Sequence, residues 1–250
     1  MHNILGTVNV VGTAFDRISE AGTVDRIVRA VQNRQRLWIV TGNVHYVMRA
    51  HRDAEFAALI AQADLRVADG VPILWAARLL GKPLCGRVNG TDLVWRCAEI
   101  SARTGCTVAL VGALHATAQL AADKLTSVQQ GARIVVIPTP RPLTNAAASD
   151  IANVARTAGA EIVLVALGAG LQDRWINSHA SHSAASVFIG IGGALDIISG
   201  QITRAPHWMQ RNGLEWLYRL SREPGRLWRR YLWEDAPFVW LVLGQIARRR

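Results

Sequence analysis

An α/β fold with a mostly parallel sheet is predicted for this 250-residue chain, and three features of the sequence support the prediction. Short apolar runs alternate with stretches of helical periodicity, which is typical of strands sandwiched between two layers of helices. Half of the residues are hydrophobic and only 18% are charged, a balance that excludes an intrinsically disordered chain. Beyond about residue 200 the strand-like runs stop, and Arg and Trp become frequent. We therefore predict a Rossmann-like sheet sandwiched by helices, followed by a basic helical appendage.

The predicted strands are short apolar runs, and several are rich in Val and Ile on both faces, as in a parallel sheet covered on both sides. They are Val8–Val11, Leu37–Val40, Leu65–Ala68, Thr107–Val111, Arg133–Ile137, Glu161–Leu167 and Ser186–Ile191. The predicted helices between them repeat apolar residues on one face, as Phe56 and Ile60 do in the first of them. These helices are Asp53–Ala63, Asp92–Ala102, Ala116–Leu125 and Ala146–Ala158.

The change of composition predicts an α/β domain over residues 1–200 and an appendage over residues 201–250. The appendage holds ten Arg, four acidic residues and five of the nine Trp, and Pro224 and Pro237 divide it into short helices. Trp, apolar residues and Arg together are typical of helices on an anionic membrane surface, so we predict membrane contact here. The alternative is a set of helices packed on the α/β domain, with buried Trp and solvated Arg. Nucleic acid is not a predicted partner, because no recognisable binding motif accompanies the Arg residues.

The formal net charge is +10, from 28 Lys and Arg against 18 Asp and Glu. All but two of these cations are Arg, which forms bidentate pairs with phosphate, so anionic partners are expected. Three Cys without CxxC spacing indicate a reducing compartment. The N-terminus lacks the pattern of a signal peptide, and the long uncharged run over residues 104–122 is too polar to span a bilayer. Together these features predict a cytoplasmic location.

Ligands of an open parallel sheet bind outside the carboxyl ends of the strands, so the residues that follow each predicted strand are candidates for the site. Small and polar residues stand there, and backbone N–H groups at such turns suit a diphosphate. Each member alone is equally typical of turns and helix caps, but their coincidence at one edge favours a site. The candidates are Thr41 to Asn43, Asp69 with Gly70, Gly112, Gly168 to Asp173, and Gly192 to Asp196.

Several common motifs are missing from the sequence. It contains no GxGxxG, no GxxxxGK[ST], no GxSxG and no Asp-x-Asp, so a dinucleotide site, a P-loop, a nucleophile elbow and an acidic metal clamp are not predicted. His179 and His182 lack a third ligand and are more typical of a solvated surface pair. His45 and His51 have no evident partner in the sequence. No metal site is therefore predicted.

Nine segments together resemble the TagA/WecG/CpsF glycosyltransferases, glycosyltransferase family 26. The resemblance covers the chain from about residue 37 to the C-terminus, and the C-terminal segments are the most distinctive. The segments are Thr41–Asn43, Ala63–Asp64, Ala68–Ile73, Ala76–Gly81, Arg87–Leu93, Gly190–Asp196, Arg204–Pro206, Gly213–Leu220 and Glu223–Tyr231.

The resemblance implies inverting, metal-independent transfer of a hexose or N-acetylhexosamine-type sugar from a UDP-sugar to an undecaprenyl-diphosphate-linked saccharide, in the synthesis of a bacterial surface polysaccharide or exopolysaccharide. It also implies peripheral attachment to the inner face of the cell membrane, with no cofactor besides the donor substrate, and a homo-oligomer is possible. By analogy Asp69 would be the general base. The expected donor-binding residues are Thr41, Asn43, Arg87, Gly112, Gln172 and Asp196. The residues expected to meet the acceptor or the membrane are Arg219, Arg226 and Arg229.

The chain departs from the usual pattern of this family at Leu171-Gln172-Asp173, where a basic residue commonly precedes Gln-Glu. The motifs fit glucose, N-acetylmannosamine and N-acetylmannosaminuronic acid donors alike. Two other functions stay open: a soluble enzyme that binds a nucleotide cofactor, and a membrane-surface adaptor without enzymatic activity. The missing GxGxxG weakens the first, and the polar cluster at the sheet edge weakens the second.

Overall fold

The computed structural model describes residues 6–140, 142–180 and 183–248, and the side chains of His207 and Arg226 also lie outside the description. Within these ranges the chain forms a six-stranded parallel sheet and a separate two-stranded antiparallel hairpin. The strands of the sheet run in the order β4-β3-β8-β7-β5-β6. The predicted α/β class is confirmed.

The elements follow one another in the alternating order that the sequence predicts up to about residue 200. The strands are β1 (Thr7–Val10), β2 (Thr13–Asp16), β3 (Leu37–Gly42), β4 (Leu65–Ala68), β5 (Thr107–Gly112), β6 (Arg133–Ile137), β7 (Ala160–Ala166) and β8 (Val187–Gly190). The helices of the same region are α1 (Glu20–Asn33), α2 (Val44–Arg52), α3 (Ala54–Ala61), α4 (Val71–Leu79), α5 (Gly90–Thr104), α6 (His115–Val128), α7 (Asn145–Thr157), α8 (Leu171–His179) and α9 (Ala194–Ile198). The C-terminal helices are α10 (His207–Arg211), α11 (Glu215–Arg222), α12 (Pro224–Arg229), a π-helix (Arg230–Asp235) and α13 (Pro237–Ala247).

Helices cover both faces of the parallel sheet, so its central strands are almost wholly buried. On one face α1, α5, α6 and α9 pack around side chains such as Ile39 and Leu110. On the other face α3, α7 and α8 pack around side chains such as Trp38 and Val163. Alternate residues of one strand therefore enter two different cores, which explains why these strands are apolar on both faces.

The N-terminal strand differs from its prediction. Val8–Val11 was expected among the strands of the parallel sheet, but β1 pairs with β2 in an antiparallel hairpin that packs beside β4. The chain reverses at Val11 and Gly12, whose φ angles of 50° and 85° allow a tight hairpin turn. The amide of Gly12 donates to Oδ1 of Asn9 over 2.9 Å and completes the turn.

The C-terminal helices pack against the α/β body. Phe238 and Val242 of α13 are buried with Val8 and Val10 of the hairpin. The side chain of Gln245 accepts from the amide of Val11 and donates to the carbonyl of Asn9. The appendage is thus packed on the body, as the alternative prediction stated, but its Trp side chains face outward rather than inward. The exposed ones are Trp208, Trp216, Trp228, Trp233 and Trp240.

None of the helices within the described ranges is both long enough and apolar enough to cross a bilayer.

Candidate active site

A cavity of about 410 Å³ lies at the carboxyl ends of the sheet strands, where the topology places ligands. The loops after β3, β4, β7 and β8 form its floor, and the C-terminal helices form the opposite wall. Seven of the site residues predicted from the sequence line this cavity. They are Thr41, Asn43, Asp69, Arg87, Gln172, Asp196 and Arg219.

Asp69 is the first residue after β4, and its carboxylate is held by the start of α5. The side-chain amide of Asn89 donates to Oδ1 of Asp69 over 2.7 Å, and the amide of Gly90 approaches Oδ2 at 3.5 Å. Burial and the nearby carboxylate of Glu215 raise the pKa of Asp69 to about 6, although Arg87 and the two hydrogen bonds act against this rise. A carboxylate with a pKa near 6 is ionised at neutral pH and accepts a proton more readily than an ordinary Asp.

Asn89 has two functions at this point of the chain. Its Oδ1 accepts from the amides of Thr91 and Asp92, which caps the N-terminus of α5. The same side chain donates its N–H to Asp69. The folding of α5 and the placement of the carboxylate therefore depend on one amide group.

Arg87 lies in the same cavity but is not free to bind a ligand alone. Its guanidinium donates to Oε2 of Glu215 over 3.1 Å and to Oε1 of Gln210 over 3.4 Å. A second ion pair joins Arg204 to Asp92 at 2.7 Å, and Asp92 lies 3.9 Å from Arg87. The loop before α5 is in this way connected through charges to the C-terminal helices.

Thr41 lies at the carboxyl end of β3 and Asn43 directly follows that strand, and both shape the cavity through local contacts. The hydroxyl of Thr41 donates to the carbonyl of Gly190 over 2.7 Å and so ties β3 to the end of β8. Oδ1 of Asn43 accepts from the amide of Tyr46 and caps α2. Helix capping thus accounts for one atom of Asn43, while its position on the cavity wall agrees with the predicted role.

Gln172 is almost wholly buried beneath the cavity, in a network that the sequence did not predict. Its Nε2 donates to the hydroxyl of Tyr46 over 2.6 Å, and its Oε1 accepts from the amide of Gly192 over 3.1 Å. The Tyr46 hydroxyl donates to Oδ2 of Asp173, which also accepts from the amide of Gly170. Gly190 is required beside it, because an added Cβ would lie 2.5 Å from Nε2 of Gln172. Gln172 therefore fixes the glycine turn after β8.

Burial changes the acidity of this network. It raises the pKa of Asp173 and, together with the neighbouring carboxylate, the pKa of Tyr46. Tyr46 consequently stays protonated and serves as a permanent donor to Asp173.

Gly112 is the predicted donor-binding residue that the structure places outside the cavity wall. Its φ of 93° favours glycine, and an added Cβ would lie 2.6 Å from the backbone of Ala166. Its amide donates to the hydroxyl of Thr139. Close strand packing and the tight turn after β5 thus explain this residue without a ligand.

The three predicted Arg residues of the appendage have different positions. Arg219 lines the cavity, and its buried Nε has no hydrogen-bond partner among the described residues. Arg229 is exposed on the surface, and the side chain of Arg226 lies outside the described residues. Arg230, which the resemblance does not single out, lines the cavity at the start of the π-helix.

His45 has acidic neighbours, which corrects the expectation that it has none. Its Nδ1 lies 3.5 Å from Oδ1 of Asp235 and 3.9 Å from Oε2 of Glu234, both in the π-helix. These contacts join α2 to the C-terminal helices, and no sequence pattern indicates them because nearly 200 residues separate the partners. The predicted pair of His179 and His182 cannot be assessed, since His182 lies outside the described residues.

Within the part of the chain that the structure describes, no three His, Cys, Asp or Glu side chains are grouped as ligands of a metal would be. Metal-independent chemistry stays a prediction.

The fold and the cavity define the class of protein: an α/β protein with an ionisable carboxylate in a cavity at the edge of the sheet where ligands bind. The model of the glycosyl transferase WecG/TagA/CpsF family matches residues 8–250, and the chain belongs to this family. The resemblance found in the sequence motifs is thereby confirmed, and the chain is a glycosyltransferase.

Two curated relatives are both named N-acetylglucosaminyldiphosphoundecaprenol N-acetyl-beta-D-mannosaminyltransferase. The protein of Staphylococcus aureus strain MW2 is 27% identical over 224 residues, which cover 89% of this chain and 87% of the relative. The protein of strain NCTC 8325 is 28% identical over 214 residues, which cover 85% and 83%.

Proposed function

We propose that the protein transfers an N-acetylmannosamine-type sugar from a UDP-sugar to a saccharide linked to undecaprenyl diphosphate, with inversion and without a metal, in the synthesis of a cell-envelope polysaccharide. The observation that carries this proposal is the Asp69 carboxylate, which lines the cavity and has a pKa of about 6. The names of the Staphylococcus aureus relatives support the choice of sugar and acceptor.

In the proposed reaction a hydroxyl of the acceptor attacks the anomeric carbon of the donor. The new C–O bond forms as the bond to the diphosphate breaks, and UDP leaves with the bonding electrons. Asp69 accepts the proton of the attacking hydroxyl, so one base suffices for a single displacement that inverts the anomeric centre. A positioned general base contributes about two to four powers of ten in rate.

The departing diphosphate needs positive charge in the cavity, and the C-terminal helices provide it. Arg219 and Arg230 both line the wall opposite the sheet. Nε of each lacks a hydrogen-bond partner among the described residues, but Nε of Arg230 lies 3.6 Å from the carboxylate of Asp235 and is partly neutralised by it. We therefore assign Arg219 to a diphosphate group, since a charged donor aimed at developing negative charge stabilises the transition state.

The outward-facing side chains of the appendage fit a membrane-bound acceptor. Trp233 and Trp240 are 70% and 75% exposed, and Val239 and Leu243, on the same helix α13 as Trp240, are exposed as well. Exposed aromatic and aliphatic groups beside Arg are typical of peripheral attachment to an anionic leaflet. The proposed location is accordingly the inner face of the cell membrane.

The test is an assay of UDP release with the full-length protein. UDP-N-acetylmannosamine, UDP-glucose and UDP-N-acetylmannosaminuronic acid would each be offered with N-acetylglucosaminyl-diphospho-prenol, with EDTA in parallel reactions. We expect release that requires both substrates, persists in EDTA and is lost in Asp69→Asn. NMR of the product from an α-linked donor should show a β linkage.

Each part of the proposal can fail separately. No release with any of the donors, or full release by folded Asp69→Asn, would contradict the transfer or the role of Asp69. Loss of release in EDTA with recovery on added Mg²⁺ would contradict metal independence. A retained anomeric configuration would contradict the single displacement.

A further inference from the structure

Glu215 is the first residue of α11, yet its carboxylate lies in the cavity beside the loop that holds Asp69. Its Oε2 accepts the Nη1 hydrogen of Arg87 at 3.1 Å, and both side chains are about four-fifths buried, with 22% and 20% exposed. No role follows for Glu215 from the family resemblance or from the proposed displacement.

The backbone before α11 places Glu215 there through a close contact with α4. Gly213 has a φ of 68°, and an added Cβ would lie 2.9 Å from the ring of Trp75 and 3.1 Å from Val71. Gln210, also buried, donates to the carbonyl of Ala205 over 2.6 Å and accepts from Arg87. The start of α11 is thus fixed against both α4 and the loop before α5.

The charges that face Asp69 come from three segments. Glu215 acts to raise the pKa of Asp69, and Arg87 acts to lower it. Arg204, before α10, is also coupled to the Asp69 charge. The further ionisable groups of the cavity wall are His45, Tyr46, Asp196, Arg219, Arg230, Tyr231 and Asp235.

Resting on the function proposed above, we infer that Glu215 is a positioning residue for the transfer: it holds the guanidinium of Arg87 on the side of α11, so that Asp69 keeps its strength as a base. Without Glu215, the guanidinium of Arg87 loses its ion pair with α11 and can turn toward Asp69, which would weaken Asp69 as a base. The placement of the C-terminal helices therefore controls the base, and an enzyme whose helices are displaced has a weaker one.

Two measurements on full-length protein test this inference. The first is kcat/KM for UDP release as a function of pH, in the unaltered protein and in Glu215→Gln, Glu215→Ala and Arg87→Gln. The second is a titration of the Asp69 carboxyl by ¹³C NMR, with the resonance assigned by its absence in Asp69→Asn. The titration needs no substrate, so it remains readable even if the proposed function is wrong.

Removal of the negative charge of Glu215 should lower the pKa of Asp69. The acidic limb of the kcat/KM profile and the midpoint of the NMR titration should therefore both move to lower pH. We expect a shift of about one pH unit in Glu215→Gln, the lower end of the range for one nearby charge, and a larger shift in Glu215→Ala, which also releases Arg87. Arg87→Gln should move both upward. The control is Glu99→Gln, because Glu99 pairs with Arg96 on the exposed side of α5, and it should move neither.

A role limited to folding would lower kcat/KM at every pH without moving the limb. An unmoved titration of Asp69 in folded Glu215→Gln and Glu215→Ala would overturn the inference. So would a shift in the Glu99→Gln control equal to that of the Glu215 variants.

Discussion

The side-chain amide of Asn89 donates to the carboxylate of Asp69 over 2.7 Å while its carbonyl oxygen caps helix α5. The two atoms of one amide therefore have separable effects. The N–H stabilises ionised Asp69, and the oxygen stabilises the helix. This separation makes a substitution at position 89 informative about the base without loss of the fold.

Asn89→Asp should keep the cap and change the base. The new carboxylate still accepts from the amides of residues 91 and 92, but it places a second negative charge beside Asp69 in place of a donor. Both effects raise the pKa of Asp69, so kcat/KM should fall at pH 6.5 and recover toward pH 8.5. Asn89→Ala, as the matched variant, should lose about 1 kcal/mol of unfolding free energy with the cap. A pH profile unchanged in Asn89→Asp would exclude the hydrogen bond as a contributor.

Asp69→Asn should abolish turnover but stabilise the fold at neutral pH. The folded protein raises the pKa of Asp69 from 3.8 to about 6, so stability is full below pH 3.8 and falls as the pH rises through 6. A neutral amide avoids that loss, and we expect a gain on the order of 2 kcal/mol at pH 8. Thermal unfolding at pH 8 should show a rise of several °C, at roughly 2–4 °C per kcal/mol for this length.

At pH 3.5 the melting temperature of Asp69→Asn should not exceed that of the unaltered protein, because Asp69 is then protonated in both the folded and the unfolded state. Asp150→Asn on the exposed face of α7 is the control and should leave the melting temperature unchanged at both values. A lower melting temperature of Asp69→Asn at pH 8 would show that the carboxylate stabilises the fold instead.

Tyr46→Phe removes one hydroxyl from the buried network under the cavity. Nε2 of Gln172 then loses its acceptor, and Asp173 loses one of its donors. An unsatisfied buried polar group costs about 1–3 kcal/mol, so the free energy of unfolding should fall by that amount. Because Gln172 also holds the amide of Gly192 at the cavity, the KM for the donor should rise more than kcat falls.

The matched control is Tyr218→Phe. Among the described residues the Tyr218 hydroxyl accepts one exposed hydrogen bond of 3.4 Å, from Arg222, so its loss should cost less than about 0.5 kcal/mol. Equal stability of the two variants in urea would contradict the structural role of the buried network.

The sheet was predictable because its strands are short runs whose apolar character on both faces has one physical cause, burial between two helix layers. The pattern missed α1, although Ile27 and Val31 have helical spacing, because no strong start or stop signal other than Ser19 accompanies them. It also placed Val8–Val11 in the wrong sheet. An apolar run does not specify its partner, and that choice depends on the turn at Val11 and on the distant Gln245.

The site was predictable where one residue lies at the end of a strand or directly after it, as Thr41 and Asp69 do. The cavity wall formed by the C-terminal helices was not predictable, because it depends on how helices far along the chain pack over the sheet. Glu215 meets Arg87 across 128 positions. Arg230 lines the cavity at the start of the π-helix, although the resemblance named its neighbour Arg229 as a residue that meets the acceptor or the membrane.

The last prediction concerns the exposed Trp side chains of the appendage. A truncation would remove Phe238 and Val242 from the core beside β1, so loss of binding would be confounded with loss of folding. The substitutions Trp233→Ser and Trp240→Ser leave that core intact and remove the two most exposed Trp of the described chain. Each buried aromatic ring contributes on the order of 1.5 kcal/mol or more, so the double variant should bind anionic vesicles at least about tenfold more weakly.

Leu120→Ser with Val128→Ser on α6 is the control, since both side chains are exposed at a distance from the appendage. Salt should weaken vesicle binding of both variants through the Arg residues. Equal binding of the Trp variant and the unaltered protein in a vesicle sedimentation assay would show that this surface does not contact the membrane.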